Sequence, residues 1–307
     1  MNRAFFIAGP TATGKSELAA DVAEEIGAEI VSADAFQIYR GLDLLTAKPE
    51  ASTLAKAPHH LIGTTSLQQE MNAEKYRRAA MAVLDEINSR GRRAIVVGGS
   101  GLYIKALTQG LASLPEADRK LREKLNAMSL DELRSQLMEF DPMAARTIDT
   151  KNRRRVVRAL EICLLTGKPA SEVIAGVDDS GRPGSPIPAT GVFVLRDREE
   201  LYQRINQRVK AIFEQGIIEE VHAAGATGAT ASQMIGLRQI RELLNGKMSP
   251  SQCIAEIQQA TRRYAKRQLT WFRRQTNFSP LNLSLLSHNE ARILLRMRAG
   301  LLVGVKE

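Results

Sequence analysis

The chain has 307 residues, 44% hydrophobic and 25% charged, with a formal net charge of +9. That length buries a full core with room for a second small domain, and the composition excludes a fibrous or disordered chain. Lys plus Arg outnumber Asp plus Glu by 43 to 34, an excess that points to a polyanionic partner where the charges cluster.

In chain order, the apolar run 4–8 reads as a first buried strand, being too short for a signal-peptide core. Gly9-Pro10-Thr11-Ala12-Thr13-Gly14-Lys15-Ser16 follows it directly and opens a helix over 17–26. This is the G-x-x-x-x-G-K-[ST] spacing in its proper context. The glycines let successive N–H groups turn toward phosphate oxygens, and the helix N-terminus adds positive potential. Lys15 supplies a point charge, and Ser16 is placed to ligate Mg²⁺. A strand over 29–32 comes next, with Asp34 just past its end. Position puts that carboxylate at the same sheet edge as the phosphate loop, as a metal ligand or general base; a turn or helix-cap role fits equally well.

A helix is expected over 73–90, with Tyr76, Ala80, Val83, Leu84 and Ile87 on one face. The next strand, 94–97, ends in Gly98-Gly99-Ser100-Gly101 and lacks the acid that ATP-using phosphate-loop enzymes place there for Mg²⁺. The glycines imply close backbone approach to a ligand, and Ser100 is a hydroxyl at the strand edge or simply a loop residue. After Leu114-Pro115 the texture becomes helical and charged, with breaks at Asp141-Pro142 and Gly167-Lys168-Pro169 and a turn-rich return over 178–186. A strand over 192–195 and further helices complete the chain. Strands alternating with helices predict a mostly parallel sheet flanked by helices. The expected division is an α/β core from 1–116 and 188–307, interrupted by a helical domain over 117–187.

Cys163 and Cys253 have no metal or redox spacing and read as buried thiols in a reducing compartment; no run approaches the roughly 20 apolar residues that span a bilayer. A cytoplasmic protein with no membrane association is expected. His59-His60 reads as structural, because adjacent side chains point apart in regular structure. On a helix through Thr261 to Arg274, Ala265, Leu269 and Phe272 share one stripe, while Arg263, Lys266, Arg267, Thr270 and Arg274 share another. A solvated face is the usual reading of such a row. With no i,i+4 acid partner, it is better suited to a phosphate backbone. Lys151-Asn152-Arg153-Arg154-Arg155 with Arg158 forms a second basic run, and together the two predict a nucleic-acid cleft.

Taken in order, these motifs resemble the tRNA dimethylallyltransferases, from the first strand to about Phe278. The phosphate loop, Ser32-Ala33-Asp34, Tyr39-Arg40-Gly41-Leu42-Asp43, Thr46-Ala47-Lys48-Pro49, Pro58-His59-His60-Leu61, Gly98-Gly99-Ser100-Gly101-Leu102-Tyr103 and Tyr264-Ala265-Lys266-Arg267-Gln268-Leu269-Thr270-Trp271-Phe272-Arg273 carry the likeness. The resemblance implies a P-loop NTPase-like core. It also implies transfer of a dimethylallyl group from its diphosphate to N6 of the adenosine 3′ of the anticodon, in tRNAs reading codons that begin with U. By the same resemblance Asp34 is the general base, Ser100 orients the amine, and Lys15, Arg208 and Mg²⁺ neutralise the leaving diphosphate. It assigns the tRNA anticodon stem-loop to Asp34, Ala35, Phe36, Gln37 and Ser100, to Arg122, and to Arg154, Arg155, Val156, Val157 and Arg158 in the inserted domain. Further contacts fall to Gln233, Met234, Ile235, Gly236, Leu237 and Arg238, and to Lys266, Arg267, Gln268, Leu269, Thr270, Trp271, Phe272 and Arg273. No obligate protein partner is implied. Ala35 stands where the family usually has Ser, Leu45 where Gly is common, and Leu237 where an aromatic is usual.

An adenylate isopentenyltransferase acting on free nucleotide would share the core but have little use for the inserted domain and basic helix. A small-molecule P-loop kinase accounts for the phosphate loop and little else, and a non-enzymatic RNA-binding protein leaves that loop unexplained.

Overall fold

Every residue of Ala4–Ala8 (β1) is buried. Phe6 and Ala8 pack into one apolar layer and Phe5 and Ile7 into another, as the alternation of a strand requires. A strand buried on both faces belongs inside a sheet covered on both sides. The computed structural model describes residues 4–112, 114–175, 189–275 and 277–300. After β1 come α1 (Lys15–Ile26), β2 (Ala28–Ser32), α2 (Ala51–Leu54), β3 (His59–His60), α3 (Ala73–Ser89), β4 (Arg93–Gly98) and α4 (Gly101–Thr108). Next are α5 (Arg119–Ala127), α6 (Leu130–Phe140), α7 (Pro142–Thr147), α8 (Arg153–Thr166) and α9 (Ala170–Ala175). The chain continues with β5 (Ala189–Leu195), α10 (Arg198–Glu214), α11 (Ile217–Ala224), α12 (Leu237–Leu244), α13 (Pro250–Gln275), β6 (Ser279–Asn282) and α14 (His288–Gly300).

The strands form one six-stranded sheet in the order β3-β2-β4-β1-β5-β6, and every described pairing is parallel. α1 and α14 cover one face: Leu18, Val22, Ala291 and Leu295 pack with Phe5, Ile7, Ile95 and Val194. On the other, Tyr76, Leu84 and Ile87 of α3, Val209 of α10 and Phe272 of α13 pack with Phe6, Val96 and Phe193. The helical face expected over 73–90 is present as Tyr76, Ala80, Leu84 and Ile87, all buried, with Val83 half-buried beside them. Asn72 caps α3 by accepting from the Lys75 N–H.

Two edge strands lie outside the sequence expectation. β3 is only His59-His60, with His60 tied to Glu29 at 2.8 Å. β6 carries Pro280, which is tolerated because an edge strand leaves one row of ladder N–H positions unused.

By its contacts the chain divides into two units, one of Met1–Gln109 with Pro186–Glu307 and the other of Gly110–Ser185. Every regular element among the described residues of the second unit is a helix. Leu125, Leu133, Leu137, Val156 and Leu160 form its core. Ser129 and Glu132 make a reciprocal capping box on α6. At the expected break, Asp141 caps α7 through the Ala144 N–H at 2.8 Å and also receives Ser171 N–H and hydroxyl, each at 2.7 Å. Gly167 closes α8 with a left-handed φ of 66°. The return expected over 178–186 lies outside the described residues. Both cysteines are buried, free thiols.

Candidate active site

The ends of β1, β2 and β4 meet because these strands are neighbours in the sheet. Gly9 N–H donates to the Gly98 carbonyl (3.1 Å), Ala33 N–H to Val97 (2.7 Å) and Ser100 N–H to Ala33 (3.1 Å). The glycines of the Gly98–Gly101 turn are required by this crowding. A Cβ at Gly98 would stand 2.1 Å from the Ala33 carbonyl oxygen, one at Gly99 2.3 Å from Gln268 Nε2, and one at Gly101 2.4 Å from the Trp271 ring. Sequence alone suggests that these glycines admit a ligand. In fact they admit the protein's own backbone and the side chains of α13.

The loop from Gly9 to Ser16 wraps the N-terminus of α1, with Gly14 at φ 89° as its cap residue. Ala12 adopts φ 65°, a conformation costly for a residue with a Cβ. Three arginines brace the loop: Arg204 Nε donates to the Ala12 carbonyl (2.9 Å), Arg196 Nε to Thr13 (2.8 Å) and Arg208 Nη1 to Thr11 Oγ1 (2.9 Å). Lys15 is buried, with Nζ on the Pro10 carbonyl at 3.1 Å. Burial lowers its pKa from 10.5 to about 8, against the raising field of Asp34 and helped by the like charge of Arg208. Burial likewise pulls Arg208 below its ordinary value. Two buried cations whose charged forms are disfavoured by burial are primed for an anion.

Asp34 follows β2, and its Oδ1 accepts from the N–H groups of Phe36 (3.0 Å) and Gln37 (3.3 Å). This bonding is the turn-forming arrangement that sequence left open, and it fixes the carboxylate's orientation. Ser100 Oγ accepts from the Ala35 N–H at 2.8 Å and is hydrogen-bonded to the Tyr264 hydroxyl, so it holds the Asp34 segment in place. Burial and the Asp34 charge both push the Tyr264 phenol up and keep it neutral.

A cavity in this unit joins these groups. Thr11, Asp34, Arg208, Thr261 and Tyr264 line it with polar groups, and Leu44, Leu45, Val209, Ile212 and Ile257 are among its apolar lining. The Leu44–Leu45 wall is pinned by Glu220, whose carboxylate accepts both N–H groups at 2.8 and 3.0 Å. Gln37 Nε2 holds the Ala47 carbonyl at 2.8 Å. Glu220 carried no sequence signal, being 175 residues from its partner Leu45.

The residues assigned to RNA divide by exposure. Arg263, Lys266, Arg267, Thr270 and Arg274 are exposed in one row of α13 and Arg273 is exposed too, while Ala265 and Phe272 are buried on its inner side. Among the described residues none of Arg263, Lys266, Arg267, Arg273 and Arg274 forms an ion pair. Arg154 and Arg155 are exposed on α8, and Gln233 and Arg238 are exposed, although Arg238 pairs with Glu242 at 2.8 Å. Val156, Val157, Met234, Gly236, Leu237, Gln268 and Phe272 are buried, and Ile235, Leu269 and Trp271 half-buried, so their part is chiefly to shape the elements that carry the polar groups. Arg122 and Arg158 spend their guanidinium groups on the buried carboxylate of Glu161, at 2.8 and 2.5 Å. No three His, Cys, Asp or Glu side chains cluster to hold a metal among the described residues. No described helix is long and apolar enough to cross a membrane.

A parallel sheet with a phosphate loop between β1 and α1, beside a cavity lined by both charged and apolar side chains, defines a P-loop-type α/β protein. A family model described as IPP transferase matches residues 37–275, and the chain belongs to that family, the tRNA dimethylallyltransferases. It is 42% identical to the tRNA dimethylallyltransferase of Geobacter sulfurreducens over 87% of this chain and 88% of that protein. It is 41% identical to that of Akkermansia muciniphila over 88% and 90%. Among solved structures, the full-length tRNA isopentenylpyrophosphate transferase of Bacillus halodurans superposes with a TM-score of 0.71 at 31% identity, covering 98% of this chain and 97% of that one. A eukaryotic dimethylallyltransferase described as acting on tRNA gives 0.75 at 25% identity, over 92% and 74%.

Proposed function

We propose that this chain transfers a dimethylallyl group from dimethylallyl diphosphate to N6 of the adenosine 3′ of the anticodon, in tRNAs reading codons that begin with U. The observation that carries the reading is the cavity itself. Its lining combines Arg208 and Asp34, beside Thr11 of the phosphate loop, with leucine, isoleucine and valine side chains. A hydrocarbon chain on a diphosphate satisfies both kinds of lining; a sugar in its place would strand polar groups against the apolar side chains.

The adenine N6 lone pair forms a bond to C1 of the dimethylallyl group as the C1–O bond to diphosphate breaks. The proton on N6 passes to the Asp34 carboxylate, which Phe36 and Gln37 N–H groups hold in place through Oδ1. Lys15, the loop amides and Arg208 receive the charge that grows on the leaving diphosphate. Ser100, which accepts the Ala35 N–H and is hydrogen-bonded to the Tyr264 hydroxyl, stands beside the Asp34 segment, where its hydroxyl would orient the incoming base. The donor set for a metal is oxygen only: the Ser16 hydroxyl in the first turn of α1 together with substrate oxygens. That set suits Mg²⁺ held largely through the diphosphate, whose charge it would neutralise.

The acceptor adenine must leave the anticodon-loop stack to reach Asp34. The exposed row of α13 and Arg154 and Arg155 of the inserted unit supply backbone contacts. The protein works in the cytoplasm, on tRNA. The test is transfer of label from dimethylallyl diphosphate, with Mg²⁺, to unmodified tRNA or to AMP. Label in tRNA is expected. Label in AMP alone, or ATP hydrolysis without transfer, would overturn the reading.

A further inference from the structure

α13 presents two opposite faces. Its inner stripe is Tyr264, Gln268 and Trp271, four and three residues apart and therefore aligned on one side of the helix. Each of them holds one residue of the Gly99–Ser100–Gly101 turn: Gln268 Nε2 donates to the Gly99 carbonyl at 2.8 Å, the Tyr264 hydroxyl bonds Ser100, and the Trp271 ring covers Gly101. Gln268 alone also reaches the phosphate loop, where its Oε1 accepts from the Thr11 N–H at 3.0 Å. Its side chain is buried, and both ends of the amide are used. Thr11 in turn receives Arg208 on its hydroxyl. One amide therefore links the loop that holds the leaving group to the turn that, through Ser100 and Ala35, holds Asp34.

We propose that Gln268 is a positioning residue for transfer, fixing the spacing between the diphosphate-binding loop and the turn that orients the base and the acceptor amine. The proposal rests on the function stated above. It gives Gln268 a role inside the protein, distinct from its neighbours Lys266 and Arg267, which point outward. Two reacting centres held by separate loops lose rate steeply when the loops drift, about 10²-fold for a misplacement near 1 Å. Substrate affinity changes little, because each loop still binds its own ligand.

The test compares wild type, Gln268→Glu and Gln268→Met in steady-state transfer from dimethylallyl diphosphate to tRNA across pH. Wild-type transfer is the control: its failure would refute the functional reading, not the positioning role. With wild type active, both variants should lose about 10²-fold in kcat with KM for each substrate held within about threefold. In Gln268→Glu the protonated carboxyl group can donate to Gly99 and accept from Thr11 as the amide does, whereas the carboxylate cannot donate. The Gln268→Glu to wild-type ratio of kcat should therefore rise as pH falls, while the Gln268→Met ratio stays flat. A kcat within threefold of wild type in Gln268→Met, or a pH-independent ratio for a folded Gln268→Glu, would overturn the proposal. If Gln268→Glu does not fold, the kcat and KM of Gln268→Met decide alone. Activity losses that track the loss of folded protein in both variants would assign Gln268 to stability and overturn it as well.

Discussion

Diphosphate binding should be linked to a proton through Lys15. In the free site, burial holds its pKa near 8 instead of 10.5, which costs the ammonium roughly 3 kcal/mol. An incoming diphosphate supplies the missing negative charge and returns the pKa toward its ordinary value. Below about pH 8 Lys15 is already charged and affinity should be flat. Above it, binding must first take up a proton, and affinity should fall about tenfold per pH unit until the bound-state pKa is reached. A terminal phosphate completes its ionisation near pH 6, so the ligand itself is silent in this window. Calorimetric titration with dimethylallyl diphosphate between about pH 7 and 10, in buffers of different ionisation enthalpy, reads both affinity and proton uptake. The linkage for folding has the same origin: between pH 8 and 10.5 the unfolded chain binds the Lys15 proton more tightly, so this residue makes the ligand-free protein more stable as pH rises through that interval. Constant affinity to pH 9.5 with no proton uptake would refute a discharged Lys15.

Other perturbations separate chemistry, RNA binding and folding. Asp34→Asn keeps an oxygen for the Phe36 and Gln37 N–H groups but cannot take a proton, so transfer should fall by about 10²–10⁴-fold while tRNA affinity stays within a few-fold; undiminished turnover would exclude Asp34 as the base. tRNA affinity should weaken steeply with salt, and replacing Arg263, Lys266 and Arg267 by Ala together should make the slope shallower by up to about one for each positive charge removed, measured by filter binding. An unchanged slope would remove that row from the interface. Glu161→Ala leaves Arg122 and Arg158 without the buried carboxylate they share, and should destabilise the inserted unit by about 3 kcal/mol in a urea titration. A loss below about 1 kcal/mol would show that the arginines find other partners.

The core of the fold was legible because its signals are local. A buried parallel strand is a short apolar run, and the loop from Gly9 to Ser16 states its own geometry through two glycines and a lysine at fixed spacing. β3 and β6 escaped because two histidines and a proline-bearing edge strand have no apolar periodicity; register against β2 and β5 makes them strands. Asp34 was located by its place after β2. Its neighbour across the turn, Ser100, was found as a hydroxyl, but its two hydrogen bonds depend on Ala35 and Tyr264 coming together. The outward row of α13 followed from periodicity and charge. The inward stripe of the same helix did not, because Gln268 is polar and sits in a run that reads as basic, and only its burial shows which way it faces. Arg208 was marked by the family resemblance, whereas Glu220, Arg196 and Arg204 act on groups distant in sequence, and nothing in residue type marks such a bond in advance.

Transfer joins a phosphate loop that holds the leaving group to an Asp34 that deprotonates an adenine of tRNA. It is tested most directly by letting the protein act on an unmodified tRNA with dimethylallyl diphosphate and Mg²⁺, then mapping the added mass by nuclease fragments and nucleoside mass spectrometry. The expected product carries a single dimethylallyl group on N6 of the adenosine 3′ of the anticodon. A dimethylallyl group at any other nucleoside, or an unmodified tRNA beside prenylated AMP, would contradict it.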